Sequence, residues 1–151
     1  MPSHVLDHST ADVIRHLMIN LGHGVLPPTS AGDAWPIYRG NEPPAPDNCI
    51  TVYDAQGVDH GRLMVTSERV IDYGFQIRVR SQTYEVGHTK ARQLQVECDD
   101  VYQDEVTIDS TTYIIHAINL TSDVIPLGKE EGSTSRYLFT INGTVTMKND
   151  T

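Results

Sequence analysis

The chain has 151 residues, a formal net charge of −9 and a hydrophobic content of 38%. This length fits a single domain that can bury about 70% of the surface its unfolded form exposes. The negative charge argues against generic binding to nucleic-acid phosphates, because such binding needs clustered lysine and arginine, and it leaves a local basic strip open. We expect no signal peptide in MPSHVLDHSTAD and no membrane span, since no apolar run approaches the required ~20 residues.

The first predicted element is a helix that begins after Ser9 and stops at Gly22 and Gly24. Ser9 can cap a free backbone N–H group, and Asp12 lies near the positive end of the helix dipole. The residues of its buried face follow the i, i+3, i+4 spacing: Val13, Ile14, Leu17, Met18 and Leu21. Residues 1–8 are expected to form a loose segment before the helix.

Six prolines between Leu26 and Asp47 limit the next segment to an edge strand or extended chain, centred on residues 35–38. Asp47 and Asn48 then turn the chain into a strand over residues 49–53, which are rich in β-branched side chains. Residues 54–69 are polar and contain two glycines, which predicts a long exposed loop.

The stretch 71–80 alternates between apolar odd positions and polar even positions, which is typical of a strand with one buried face. A helix follows, capped by Ser81, Gln82 or Thr83. Its predicted inner face contains Tyr84, His88, Ala91, Leu94, Cys98 and Val101. The joint between strand and helix has no glycine, so its backbone is not shaped to wrap a phosphate.

Two further strands are predicted at residues 106–108 and 113–120, joined near Asp109 and Ser110. The second is apolar on both faces and is therefore expected inside the sheet. Residues 121–135 predict another long loop. Asn142-Gly143 is a hairpin signal, but a hairpin there would oppose apolar and polar residues. Register therefore favours one long final strand, with Gly143 as a bulge or close-contact point.

This order of elements predicts an α+β domain over residues 1–151. We expect a mixed or antiparallel sheet of about four to six strands, two helices packed on one face, and long exposed loops.

Catalytic and metal-binding motifs are missing from the sequence. GxGxxG, GxxxxGK[ST], GxSxG and HExxH do not occur. The histidine pairs at i, i+4 and i, i+7 spacing have no cysteine or carboxylate cluster to complete a metal site. We expect the protein to bind no cofactor and to have no enzymatic activity. A small hydrolase or nucleotide-binding enzyme with scattered active-site residues is the less favoured alternative. Cys49 and Cys98 are predicted to be free buried thiols, and a disulfide between them stays open.

Charged side chains supply a candidate interface. Arg78 and Arg80 share the polar face of their strand with Gln76 and are read as exposed. Arginine can make two-pronged contacts with carboxylates, and the acidic stretch from Glu97 to Asp109 would be the counterpart on an adjacent copy. A heterologous contact of this kind closes into a ring when the rotation permits.

Three stretches, in order, are PDNCITVYDAQG, GRLMVTSERV and FQIRVRSQTYEVGHTKARQL. Over about residues 10 to 120, this set resembles minor capsid and tail terminator proteins of long-tailed bacteriophages. The resemblance implies a ring, typically of six copies, at the head-proximal end of the tail tube. Such a ring ends tube polymerisation and offers a surface to the head. Another neck component, a head-completion or connector protein, is the alternative.

The resemblance also implies partners and location. The partners would be other copies of the chain, the major tail tube protein and neck or connector proteins. DNA would pass through the lumen without specific binding, and no membrane is involved. The protein would belong to the virion tail or neck and assemble in the host cytoplasm.

The residues predicted for subunit or tail-tube contact are Arg62, Glu68, Arg69, Gln76, Arg78, Arg80, Glu97, Asp99, Asp100, Lys129, Glu130 and Glu131.

Overall fold

The computed structural model describes residues 6–27, 35–44, 46–62, 64–65, 69–130 and 136–150. These residues form two helices and seven strands, which follow one another along the chain. They are α1 Thr10–Asn20, β1 Ile37–Arg39, β2 Cys49–Arg62, β3 Arg69–Ser81, α2 Tyr84–Asp100, β4 Tyr102–Ile108, β5 Thr111–Leu120, β6 Ile125–Lys129 and β7 Tyr137–Asp150. The α+β class is confirmed, with one more strand than the upper end of the predicted range.

The strands form one sheet in the order β1-β2-β3-β7-β5-β4, with β6 paired to β7 off this path. β1 runs parallel to β2, as the predicted edge strand, and the other pairs are antiparallel. β7 is the hub of the sheet. It pairs with β3 along one side, and with β6 and then β5 along the other.

α1 begins where the sequence predicts. Its N-cap Ser9 accepts a hydrogen bond from the backbone N–H of Asp12 at 3.2 Å. Asp12 is itself buried and pairs with Arg15 and with Arg39 of β1, so the first turn of the helix also holds the edge strand. Leu21 is 37% exposed, because it is the C-cap and lies past the buried face.

The segment before α1 contacts the core over its described part. Leu6 packs partly buried against the hydrophobic cluster, and the backbone N–H of His8 donates to the Tyr113 hydroxyl at 2.9 Å. Leu6 and His8 therefore contact the core, residues 1–5 lie outside the described residues, and a loose segment over residues 1–8 as a whole stays a prediction.

The core forms on the odd-numbered positions of β3, as the alternation predicts. Phe75, Ile77 and Val79 are fully buried. Val79 lies between Ile50 of β2 and Phe139 of β7 in the sheet register. Both helices add residues to the same hydrophobic cluster, and each large side chain buried in this way contributes about 1.5–3 kcal/mol. The packing of both helices on one face stays a prediction.

α2 has Thr83 as its N-cap, one of the three predicted candidates. Ala91, Leu94 and Cys98 of its predicted inner face are fully buried. Tyr84 was predicted there wrongly, since it is 47% exposed. From its first-turn position, just past the end of β3, the Tyr84 ring contacts the rings of His88, Tyr137 and Phe139 and leaves the rest of its surface in water. Neither helix in the described ranges is long and apolar enough to cross a membrane.

The two predicted loops contain strand. Residues 54–62 continue β2 and pair with β3, and β6 lies within the second region. A two-stranded hairpin satisfies its backbone hydrogen bonds without a buried face, so its sequence can be polar throughout. The register shifts between Ala55 and Val58, where a side chain on Gly57 would overlap the Asp72 carbonyl.

The last two sequence-based expectations are confirmed. Asp109 and Ser110 form the turn between β4 and β5, with φ values of 47° and 75° that suit a tight hairpin. β7 runs unbroken through Asn142 and Gly143. A Cβ on Gly143 would lie 3.0 Å from the Asn119 carbonyl oxygen, which makes this residue a close-contact point between strands.

Candidate assembly surfaces

The β2–β3 hairpin separates from the rest of the sheet. β7 pairs with β3 only from Asp72 onward, whereas the β2–β3 pairing continues to Arg62 opposite Arg69. The three residues of β3 before Asp72 extend roughly 10 Å at strand rise. Beyond them, Met64 and Val65 are 100% and 96% exposed. Apolar side chains held on a projection in water are typical of a surface that another protein covers.

A small polar network fixes the base of this hairpin. The Thr146 hydroxyl of β7 donates to Asp72 Oδ1 at 2.6 Å, and His60 Nε2 of β2 lies 2.9 Å from Asp72 Oδ2. The Thr146 hydrogen bond, followed by that of His60, lowers the pKa of the Asp72 carboxyl below its ordinary value. Asp72 therefore ties the outer strand of the hairpin to the hub strand of the sheet.

Arg80 is buried and not part of an exposed polar face. Its side chain is 1% exposed, and its guanidinium donates to the carbonyl oxygens of Pro46 at 2.5 Å and Asp47 at 3.3 Å. Glu42 lies 3.5 Å from the same group. The prediction of an exposed Arg80 is wrong because the proline-rich segment folds over this end of β3. Alternation assigns a residue to a face and does not show what covers that face.

Arg136, which sequence reasoning missed, completes this site. It donates to the Pro44 carbonyl oxygen at 2.6 Å and to Glu130 Oε1 at 2.6 Å. We name the group formed by Arg80, Arg136, Glu42, Asp47 and Glu130 the arginine cluster. It fastens the proline-rich segment to β3 and to the start of β7. Nothing in the local sequence marks Arg136, because Pro44 and Asp47 lie far away in the chain and Glu130 lies six positions before it.

The other predicted residues of the β3 face bind inside the fold. Arg78 is half-buried, with its guanidinium carbon 5.5 Å from the centre of the Tyr53 ring. Gln76 donates to Asn142 Oδ1 of β7 at 2.9 Å. Both side chains therefore contribute to the sheet's own packing.

The remaining predicted residues are scattered over the surface. Arg62 is exposed near the hairpin tip, and Lys129 is exposed in β6 with its ammonium 5.6 Å from the Tyr137 ring centre. The side chain of Arg69, and both Glu68 and Glu131, lie outside the described part of the chain. The structure thus distributes the predicted set over the hairpin, the arginine cluster, β6 and the end of α2.

The C-terminal end of α2 is acidic. Glu97 is half-buried and pairs with His23 at 3.0 Å, while Asp99 and Asp100 are exposed. The last turn of the helix holds no basic residue. Carboxylates at this end are unfavourable, because the helix dipole is negative there.

A shallow groove of about 460 Å³ runs beside this end of α2. Among the residues lining it are His23, His88, Arg92, Val96 and Glu97. Val96 is 54% exposed, although valine packs better against apolar neighbours than in water. The groove thus combines an exposed apolar side chain, Val96, with charged groups of both signs, Arg92 and Glu97.

Both cysteines are free and buried, as predicted. Burial raises the pKa of the Cys49 thiol to about 11 and that of the Cys98 thiol to about 12. The thiolate is the reactive form, so neither side chain is a nucleophile at neutral pH.

A family model described as bacteriophage tail terminator protein matches residues 17–148, from the middle of α1 to the second half of β7. No curated protein sequence matches the chain.

Proposed function

The chain belongs to the bacteriophage tail terminator family, and from this premise we propose that it forms a ring of about six copies at the head-proximal end of the tail tube. In this proposal the ring ends tube polymerisation and provides the surface that joins the head. The family is one of structural phage proteins and not a known enzyme family, so the chain is a structural component of the phage tail.

The observation that carries the proposal, beyond family membership, is the hairpin with its exposed apolar tip. A side chain such as Met64, which is fully exposed, gains by burial against a partner. The Asp72 network also ties the base of the hairpin to β7 through Thr146 and joins its two strands through His60. Both properties favour contact with another subunit over chemistry on a substrate.

The charge of the chain supports passage of DNA through such a ring. A net charge of −9 repels phosphates, so a ring of these subunits would let DNA slide without binding it. The partners of the ring would be the major tail tube protein and neck or connector proteins, and each subunit would also contact other copies of the chain. Assembly would take place in the host cytoplasm before the tail joins the head.

The test is electron microscopy of phage particles made without this protein. We expect tail tubes of uncontrolled, excessive length and heads without tails. Supplying the protein from a plasmid should restore tails of uniform length. Tubes of normal length that fail to attach to heads would instead assign the chain to another neck component, and normal virions would overturn a role in the tail.

A further inference from the structure

We propose that the tip of the β2–β3 hairpin of one copy docks into the groove beside α2 of the neighbouring copy. This inference deepens the proposed ring by naming the contact that holds adjacent subunits together. The described part of the tip is Met64 and Val65, and Val96 is the apolar side chain that lines the groove. Each of these side chains is at least half exposed in the single chain.

The two surfaces match in shape and polarity. The tip offers two adjacent apolar side chains on a narrow projection, and the groove offers a volume of about 460 Å³. Full burial of one such side chain is worth about 1.5–3 kcal/mol relative to exposure. Docking buries Met64 and Val65 of one copy against Val96 of the neighbour. Three exposed apolar side chains therefore lose their contact with water together.

The two surfaces also match in charge. Arg62 is exposed two residues before Met64, on the hairpin that would enter the groove. Glu97 lines the groove together with Arg92 and with His23, its ion-pair partner, and the exposed Asp99 and Asp100 follow Glu97 in the last helical turn, which has no base of its own. An arginine brought in by the neighbour would favour this negative end of the helix dipole. Its guanidinium would also pair with the exposed carboxylates of Asp99 and Asp100, because a guanidinium can donate two parallel hydrogen bonds to a carboxylate.

A second copy is the occupant that the observations favour. The hairpin belongs to β2 and β3, whereas the groove is lined by α2 and by His23, so tip and groove are different surfaces of one chain. A contact between different surfaces of identical chains is heterologous and closes into a ring when the rotation permits. A single hairpin tip buries less than the roughly 1,000 Å² of a stable interface, so we expect isolated chains to associate weakly.

Cysteine cross-linking in assembled particles tests the contact. The variant Met64→Cys/Val96→Cys is treated with a short bismaleimide in purified virions and then separated under denaturing conditions. We expect bands at multiples of the 16.8 kDa chain mass, ending at the closed ring. The native thiols give little background, because burial raises the pKa of Cys49 to about 11 and that of Cys98 to about 12.

Two kinds of control sharpen the result. Each single variant should stay at the monomer mass. The pair Met64→Cys/Glu105→Cys should do the same, because Glu105 is exposed on β4 and does not line the groove. A ladder of bands from Met64→Cys/Val96→Cys, and none from Met64→Cys/Glu105→Cys, supports docking. An equal ladder from both pairs, a cross-link within one chain, or a cross-link from Met64→Cys to a different virion protein overturns it.

Charge exchange gives a second, independent reading. We expect Arg62→Glu to lower the yield of infectious particles by about tenfold or more, the effect of losing one charged contact. Arg62→Glu/Asp100→Arg should restore the yield, since the exchanged pair again attracts. Uniform tails without any ladder or rescue would overturn the docking and leave the tail-terminator proposal intact. Normal tails in particles made without the protein would overturn the proposed ring itself.

Discussion

The guanidinium of Arg80 donates to the backbone carbonyl of Pro46 at 2.5 Å, across 34 positions of the chain. Arg136 does the same for Pro44, at 2.6 Å. Together the two arginines hold a proline-rich segment that has few N–H groups of its own to offer to a sheet. The arginine cluster therefore replaces backbone pairing as the attachment of this segment.

Removal of the Arg80 side chain tests that attachment. We expect Arg80→Leu to lower the free energy of unfolding by about 3–5 kcal/mol, because the mostly buried carboxylate of Glu42 then loses its cation. Urea denaturation followed by circular dichroism measures the change. Arg92→Leu is the matched control, since the Arg92–Asp123 pair is exposed and such pairs contribute about 0–1 kcal/mol. Equal effects of the two substitutions would contradict the role of the cluster.

Gly87 allows α2 to lie directly on β7. A Cβ at this position would lie 2.6 Å from the Phe139 ring and 2.8 Å from the Ser81 Cβ. We therefore expect Gly87→Ala to lower the unfolding free energy by about 1–3 kcal/mol, although alanine favours helix formation by about 1 kcal/mol. Thr89→Ala, on the exposed face of the same helix, should be neutral or stabilising. A stabilising Gly87→Ala would show that the helix stands further from the sheet.

The Asp72 network predicts a pH dependence. The pKa of Asp72 in the folded protein lies below the ordinary value of 3.8, so the stabilisation that its carboxylate contributes is present above that value. This stabilisation is lost as the pH falls through the folded-state pKa. Thr146→Val removes the main hydrogen bond and should raise the pKa of Asp72, measured by NMR titration of its carboxyl carbon. The stability difference from the parent protein should vanish in acid. Thr144→Val, two positions away on the same face of β7, should leave this pKa unchanged.

The buried thiols predict slow chemical labelling. Because burial raises both thiol pKa values to about 11 and about 12, the native chain should react little with iodoacetamide at mildly alkaline pH. In denaturant, mass spectrometry should find two labels per chain. Rapid labelling of the native protein would mean that the core opens readily near Cys49 or Cys98.

Local signals were enough to predict much of the fold. Ser9 and Thr83 cap the two helices through their own side chains, and the alternation around Ile77 needs only the two-residue repeat of a strand. The unbroken course of β7 follows from comparing which residues would face each other across a hairpin. Each of these inferences depends on neighbours in sequence.

The misses depend on contacts between distant residues. The hairpin beyond Ala55 has no buried face, so its sequence carries no apolar repeat that would distinguish a strand from a loop. Arg80 is hidden by the Glu42–Asp47 region, and Arg136 meets Pro44 some 92 positions away. A hydrophobic repeat identifies the buried face of a strand only when the residues that cover that face are themselves apolar. The residues that cover Arg80 are largely polar groups, so the repeat could not show its burial.

The central position of β7 has a consequence for synthesis on the ribosome. β3, β5 and β6 all pair with this strand, and all of them precede it along the chain. A nascent polypeptide therefore cannot close its sheet until translation has passed Tyr137, since β3 has no partner on that side before then. A product that ends before Tyr137 would lack the strand that joins β3 to β5 and β6, so its sheet would stay in separate parts.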